Sequence, residues 1–164
     1  MDSLGIFFDR NVGKTIPEAL RDLGLTNVYH PHIDPKKCGE PRREGIKGLF
    51  AHDEGDDVIL RFCGSRNWIV CSQDHKYHLL ENEREAIKQA NVGVFYIWGA
   101  NAKKWETFRV LAQVYDKLIE KAQMTPRPFI YKIASNGRFS VVAIDGKTRK
   151  KGTLQPSPLK SRSS

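Results

Sequence analysis

Short apolar runs alternate with longer stretches whose apolar residues recur at helical spacing. "LGIFF" (4–8) is brief, wholly apolar and closed by turn-type residues, which predicts a buried strand. "TIPEALRDLGL" (15–25) predicts a helix. Thr15 is placed to cap it, Pro17 suits its first turn, Glu18 completes a capping box and Gly24 ends it. "TNVYHPHI" (26–33) predicts a second strand, set at a sheet edge by Pro31. It is followed by a loop at 34–45. Residues 53–67 contain a helix with acids at its start, where the helix dipole favours them. "WIVCS" (68–72) is a strand, 79–91 a helix and "VGVFYIW" (92–98) another strand. Residues 102–123 form a long amphipathic helix, with Trp105, Phe108, Leu111, Ala112, Tyr115, Leu118 and Ile119 on one face. Residues 128–144 read as two strands around the "SNG" turn, a hairpin.

Strand followed by helix, four times over, implies a mainly parallel sheet covered on both faces. Right-handed crossovers then give a three-layer α/β/α sandwich with a C-terminal hairpin. No internal repeat is visible.

The 164 residues suffice for one domain with its own core. No apolar run approaches the roughly 20 residues of a membrane span, so no membrane is expected. No basic stretch leads into an apolar region at the N-terminus, which argues against a secretory signal. Three scattered cysteines, Cys38, Cys63 and Cys71, form no C-x-x-C pair. Zinc and disulfide frameworks are disfavoured, Cys63 and Cys71 read as small core residues, and a reducing cytoplasm fits. The net charge of +8 is unevenly spread. Six of the 27 lysines and arginines fall in the last eighteen residues, which contain no acid; the rest of the chain holds 21 basic against 19 acidic residues. The division expected is a folded domain over 1–145 and a basic, disordered tail over 146–164, able to add affinity for a phosphate backbone.

Chemistry enters with the acids. "IFF" ends in Asp9, and Asp74 lies just past the end of "WIVCS". Both strands are apolar on both faces and therefore central. If they are parallel, Asp9 and Asp74 emerge at the same edge of the sheet. Asp56 and Asp57 start the helix that feeds "WIVCS", and that helix runs against the strands, so its start reaches this edge too. Each acid taken singly reads as a turn or helix cap; separate caps do not predict convergence. Converging carboxylates repel one another and raise their pKa values. A hard cation, Mg²⁺ or Mn²⁺, offsets that cost with oxygen ligands and suits phosphoryl chemistry. Asn11 is placed to add an amide oxygen or to position a phosphate.

In this order and spacing, "IFFDRNVGKTIPEALRDLG", "DDVIL", "NWIVCSQD" and "VGVFYIW" resemble the PIN-like domain superfamily, especially VapC-type toxins and related small nucleases. The likeness runs through "TPRPFIYKI", covering roughly residues 4 to 133. It implies a PIN fold and a divalent-metal-dependent endoribonuclease acting on RNA phosphodiester bonds. By position, Asp9, Asp56 and Asp74 match the three catalytic, metal-binding acids. Asn11, Asp57 and Ser72 are supporting residues, Ser72 standing where Thr is usual and Asp57 competing with Asp56. Lys76 occupies a place where many relatives carry a further acid, which favours one metal over two. The toxin version adds a small antitoxin as partner, and a homodimer is left open. Two alternatives stand beside this reading. One is a catalytically degenerate PIN-like module that binds RNA or protein. The other, ranked lower, is a haloacid-dehalogenase-like phosphatase, for which Asn11 replaces the required second acid.

The remaining signals are weaker. "VGKT" resembles the end of a phosphate-binding loop, but Phe8 stands where its first Gly belongs. His30 and His32 alternate on one face of the second strand; His75 and His78 follow Asp74. None makes a supported zinc set. Candidate RNA contacts are Arg10, Lys14, Arg42, Arg43, His75 and Lys76, with the 36–47 loop as the best basic patch inside the folded body. Trp105, beside Lys103 and Lys104, offers a stacking surface, although its place on the apolar helix face favours a core role.

Overall fold

The computed structural model describes residues 4–74 and 81–144. The elements in chain order are β1 (Ile6–Phe8), α1 (Thr15–Asp22), β2 (Val28–Tyr29), a 3-10 turn (Pro35–Cys38), α2 (Asp56–Ser65), β3 (Ile69–Ser72), α3 (Glu81–Ala90), β4 (Gly93–Ile97), α4 (Lys104–Met124), β5 (Phe129–Ile133) and β6 (Phe139–Val141). The sheet runs β2-β1-β3-β4-β5-β6. Its first five strands are parallel neighbours and β6 returns antiparallel on β5. The expected mainly parallel sandwich with its hairpin is the fold observed. Gly137, at φ +83°, makes the hairpin turn, a conformation that costs glycine little.

Strand alternation divides the core in two. Ile6 and Phe8 of β1, Cys71 of β3 and Phe95 and Ile97 of β4 face one side, packed with Ile16 and Leu20 of α1 and Val110, Leu111 and Leu118 of α4. Phe7, Val70, Val94 and Tyr96 face the other, with Ile59, Leu60 and Cys63 of α2 and Ile87 of α3. Burying each large apolar side chain contributes about 1.5–3 kcal/mol. The apolar doublet "FF" thus anchors both helical layers to the one central strand that carries Asp9. Cys63 and Cys71 are core residues, as expected, and burial pushes both thiols up.

Four local expectations need correction. Thr15 is not the cap of α1: Lys14 already holds helical dihedrals and takes the N-cap position, with no side-chain cap. A tight turn causes this, as Val12 and Gly13 donate their N–H groups back to the carbonyls of Asp9 and Arg10, each at 3.0 Å. Glu18 turns instead to His30, 3.5 Å from its Nε2. The second strand is only two residues long, because past Tyr29 the Pro31 carbonyl is taken by the N–H groups of Leu49 and Phe50 from the following loop. His30 and His32 therefore do not share a strand face: His30 is buried and His32 exposed. Finally, the buried stripe of α4 is Thr107, Val110, Leu111, Val114, Leu118 and Ala122. Trp105 and Ala112 lie outside it and are exposed, while Phe108, Tyr115 and Ile119 only border the core.

Among the described residues no helix is long and apolar enough to cross a membrane. The expected basic tail (146–164), with the proposed boundary at 145, lies outside the described residues, as do His75, Lys76 and His78.

Candidate active site

The parallel order of β1 and β3 brings their C-terminal ends side by side. Asp9 follows β1 directly, and its N–H continues the ladder to the Cys71 carbonyl at 2.9 Å. Its side chain is buried, with the residue 5% exposed. A buried carboxylate demands donors. One oxygen accepts the Arg10 backbone N–H at 2.8 Å and the other accepts from the Asn11 amide at 3.3 Å.

Asn11 does more than touch Asp9. Its Nδ2 also donates to Ser72 Oγ at 3.0 Å, and its Oδ1 accepts the Gln73 N–H at 3.0 Å. Ser72 Oγ in turn accepts the Asp74 N–H at 3.1 Å. The amide therefore clamps the end of β1 to the end of β3 and fixes the backbone from which Asp74 projects. An aspartate at position 11 has no N–H with which to do this. This is a physical reason for asparagine there.

The second acid arrives from α2. Asp56, its first residue, lines a small cavity together with Asp9, Ser72, Glu83 and Tyr96. Asp57 points away, 60% exposed, and pairs with Arg61 at 3.1 Å. Arg10 fastens this segment to β1. Its guanidinium donates to the His52 carbonyl and, at 2.6 Å, to the Glu54 carbonyl, and stands 3.8 Å from Asp56. Arg10, one of the candidate RNA contacts, thus also holds the 52–56 segment. Arg42 and Arg43 are also engaged, Arg42 with Asp34 at 2.7 Å and Arg43 with the Leu49 carbonyl and Glu54 at 3.1 and 3.2 Å. Lys14 is exposed at the head of α1.

A fourth acid was not anticipated. Glu83, in the first turn of α3, is carried over β3 and β4 to the same cavity. Burial raises its pKa, and so do the nearby carboxylates of Asp56, Asp74, Asp57 and Asp9. Tyr96 beneath them has its phenol pushed up by burial first and then by Glu83, Asp74, Asp9 and Asp56. The sequence around Glu83, "ENERE", reads as a charged face, and the packing of α3 against α2 turns this acid inward.

The cavity is about 20 Å³, room for one water-sized species. Its polar donors are carboxylate and hydroxyl oxygens, the type that hard divalent cations select. Among the described residues no three His, Cys, Asp or Glu side chains are already gathered at ligating distance round one point. In donor type and in size the cavity is compatible with a single hard cation.

A mainly parallel sheet between paired helical layers, with acids meeting at the C-terminal ends of its central strands, defines an α/β protein of PIN-like architecture. A family model of the PIN-like domain matches residues 5–99. This is more than half of the chain, and the protein belongs to that family. No curated protein and no solved structure matches it.

Proposed function

We propose that the protein is a divalent-metal-dependent endoribonuclease of PIN type, acting on RNA in the cytoplasm with Mg²⁺ or Mn²⁺ as cofactor. One observation carries this reading: Asp9, Asp56 and Glu83 line one water-sized cavity at the sheet edge, with Asp74 close enough to perturb Glu83. Asp9, Asp56, Asp74 and Glu83 are the residues that would hold the cation. When bound, such a cation lowers the pKa of water and offsets charge developing on a phosphate. The chain supplies the rest. Asn11 and Ser72 keep the first and third acids in register, Arg10 holds the second toward them, and the apolar wall of Ile59, Leu60, Val70 and Ile87 limits water at the site.

The decisive variant is Asp9→Asn, which keeps the size of the side chain and removes its charge. Because altering groups behind a metal ligand already costs about 10–100-fold, loss of the ligand itself should lower Mn²⁺-dependent cleavage of an RNA panel by at least about 100-fold. Circular dichroism and the thermal melt should remain native. Cleavage at the parental rate by a clean Asp9→Asn preparation overturns the assignment. Failure of the parent to bind Mn²⁺ in an Asp9-dependent way would indicate instead a degenerate module that binds RNA or protein.

The reading extends to the toxin of a toxin–antitoxin pair, with a small antitoxin covering the acidic edge. What supports this is the shared motif order with VapC-type toxins. Induced expression should then arrest the growth of the host, and Asp9→Asn should relieve the arrest. Harmless expression of the active chain removes the toxin version while leaving the nuclease reading standing.

A further inference from the structure

Trp105 stands in the first turn of α4 and is 67% exposed. Its ring lies nearly parallel to Phe108, 24° between planes and 6.0 Å between centroids, and Phe108 packs on the core. The indole is therefore braced on one side and open on the other. Cations surround it. Lys103 and Lys104 immediately precede it, and Arg109 lies one turn further on the same helix face, all three exposed. Lys104 reaches across to the Val12 carbonyl at 2.6 Å. Gly13 makes room for this: a Cβ there would come within 2.9 Å of Lys104 Nζ. The start of α4 is thus tied to the turn that links Asp9 to Lys14. Gln73, between Ser72 and Asp74, adds a second tie by donating to Thr107 Oγ1 at 3.2 Å.

We propose that Trp105, with Lys14, Lys103 and Lys104, is a substrate subsite. It takes one base of single-stranded RNA on the indole face and the flanking phosphates on the ammonium groups. The proposal rests on the ribonuclease reading and names how its substrate is held. Charge complementarity selects the occupant. The acidic cavity repels a polyanion, so RNA must be attracted from beside it, and the cationic rim next to the Asp9 turn does this. Single strands are favoured because a base stacks on an aromatic face only when it is splayed out; in an A-form duplex it is already stacked.

The test uses full-length Asp9→Asn, so that RNA is held uncut, with labelled oligoadenylate, oligouridylate and an RNA duplex as probes. From the usual contribution of one stacked base, Trp105→Ala should weaken single-strand binding by about 5–150-fold, and Trp105→Phe should restore most of it. Lys14→Ala should reduce the slope of log affinity against log salt by about 0.7. In the cleaving protein, Trp105→Ala should raise KM with kcat largely kept. Equal binding by Trp105→Ala and its parent overturns the subsite, as does a duplex bound with the same dependence on Trp105, or no RNA binding at all. Trp105-dependent binding without any Mn²⁺-dependent cleavage supports the subsite and defeats the ribonuclease reading. Cleavage indifferent to Trp105 does the reverse.

Discussion

Two concavities differ in size and in charge, and they differ in opposite directions. The cavity between α2, α3 and the ends of β1 and β3 is about 20 Å³. The groove between α1 and the segment after β2 is about 380 Å³ and is lined by Glu18, Arg21, Asp22, His30, His32 and Asp34, among others. In the large groove the charged side chains find an opposite charge, a carbonyl or a neutral ring. Glu18 faces His30 at 3.5 Å, Asp34 is paired with Arg42, and Arg21 donates to the carbonyls of Thr26 and Val28 at 2.7 Å. In the small cavity like charges meet, and they raise the pKa of Glu83. The cavity acids crowd one another even though Asp56 lies 3.8 Å from Arg10, and crowding of this kind marks a candidate functional site. Volume alone would point to the groove; the balance of charge points to the cavity. On this comparison, changes in the cavity should move chemistry and changes in the groove should move stability.

After the loss of about 100-fold or more expected for the strand-end and α2 acids, the next effect is at Glu83. If its carboxylate helps hold the cation, Glu83→Gln should reduce Mn²⁺-dependent RNA cleavage by about 10–100-fold. Without metal the variant should melt no lower than the parent, because a half-buried, repelled charge has been removed. A parental cleavage rate would place Glu83 outside the chemistry and leave three acids.

The sequence made much of this edge legible, and the reason is local. Short strands buried on both faces announce themselves, and the residue after each must lie at its C-terminal end, so the placing of Asp9 and Asp74 needed only parallel order. Asp56 followed from the direction of its helix. Glu83 was hidden because the packing angle of α3 decides which acid of "ENERE" turns inward. The structural ties of Arg10 were not legible, because its partners, the His52 and Glu54 carbonyls, are more than forty positions away and leave no side-chain signature. Trp105 was misplaced by a phase error. The apolar spacing of α4 admits two adjacent stripes, and the sheet takes the one through Thr107, Val110 and Val114.

The groove supplies the next test. His30 is 1% exposed, its Nδ1 accepts the His32 N–H at 3.2 Å, and its pKa is lowered to about 4. Burial is the main cause; Glu18 opposes it, while His32, Lys14 and Arg21 add to it. Between pH 6.5 and about 4 the unfolded chain binds a proton at this residue that the folded chain does not. Stability should therefore fall as pH drops through that window, by up to about 3 kcal/mol. Thermal melts across the window should show the loss in the parent and a flatter profile in His30→Gln. Cleavage by His30→Gln at neutral pH should stay within about two-fold of the parent, as for a site independent of the cavity. Loss of cleavage in a folded His30→Gln would join the groove to the chemistry and end the contrast.

The smallest effect expected is at Asp57, and it sharpens the comparison most finely, because Asp57 adjoins Asp56 in sequence and in charge. The two differ in direction. Asp56 lines the cavity and lies 3.8 Å from Arg10, whereas Asp57 is on the outer face of α2 against Arg61. An exposed pair spaced by four residues contributes only about 0.3–0.5 kcal/mol. Asp57→Asn should accordingly shift stability by no more than about 0.5 kcal/mol and leave cleavage within about two-fold of the parent. Asp56→Asn, one residue earlier, should lose about 100-fold or more. Parallel assays of the two variants decide which carboxylate is the second acid. A large loss at Asp57 with a small one at Asp56 would mean that the start of α2 turns by about one residue when the cation and RNA are bound, and would move the second ligand to Asp57.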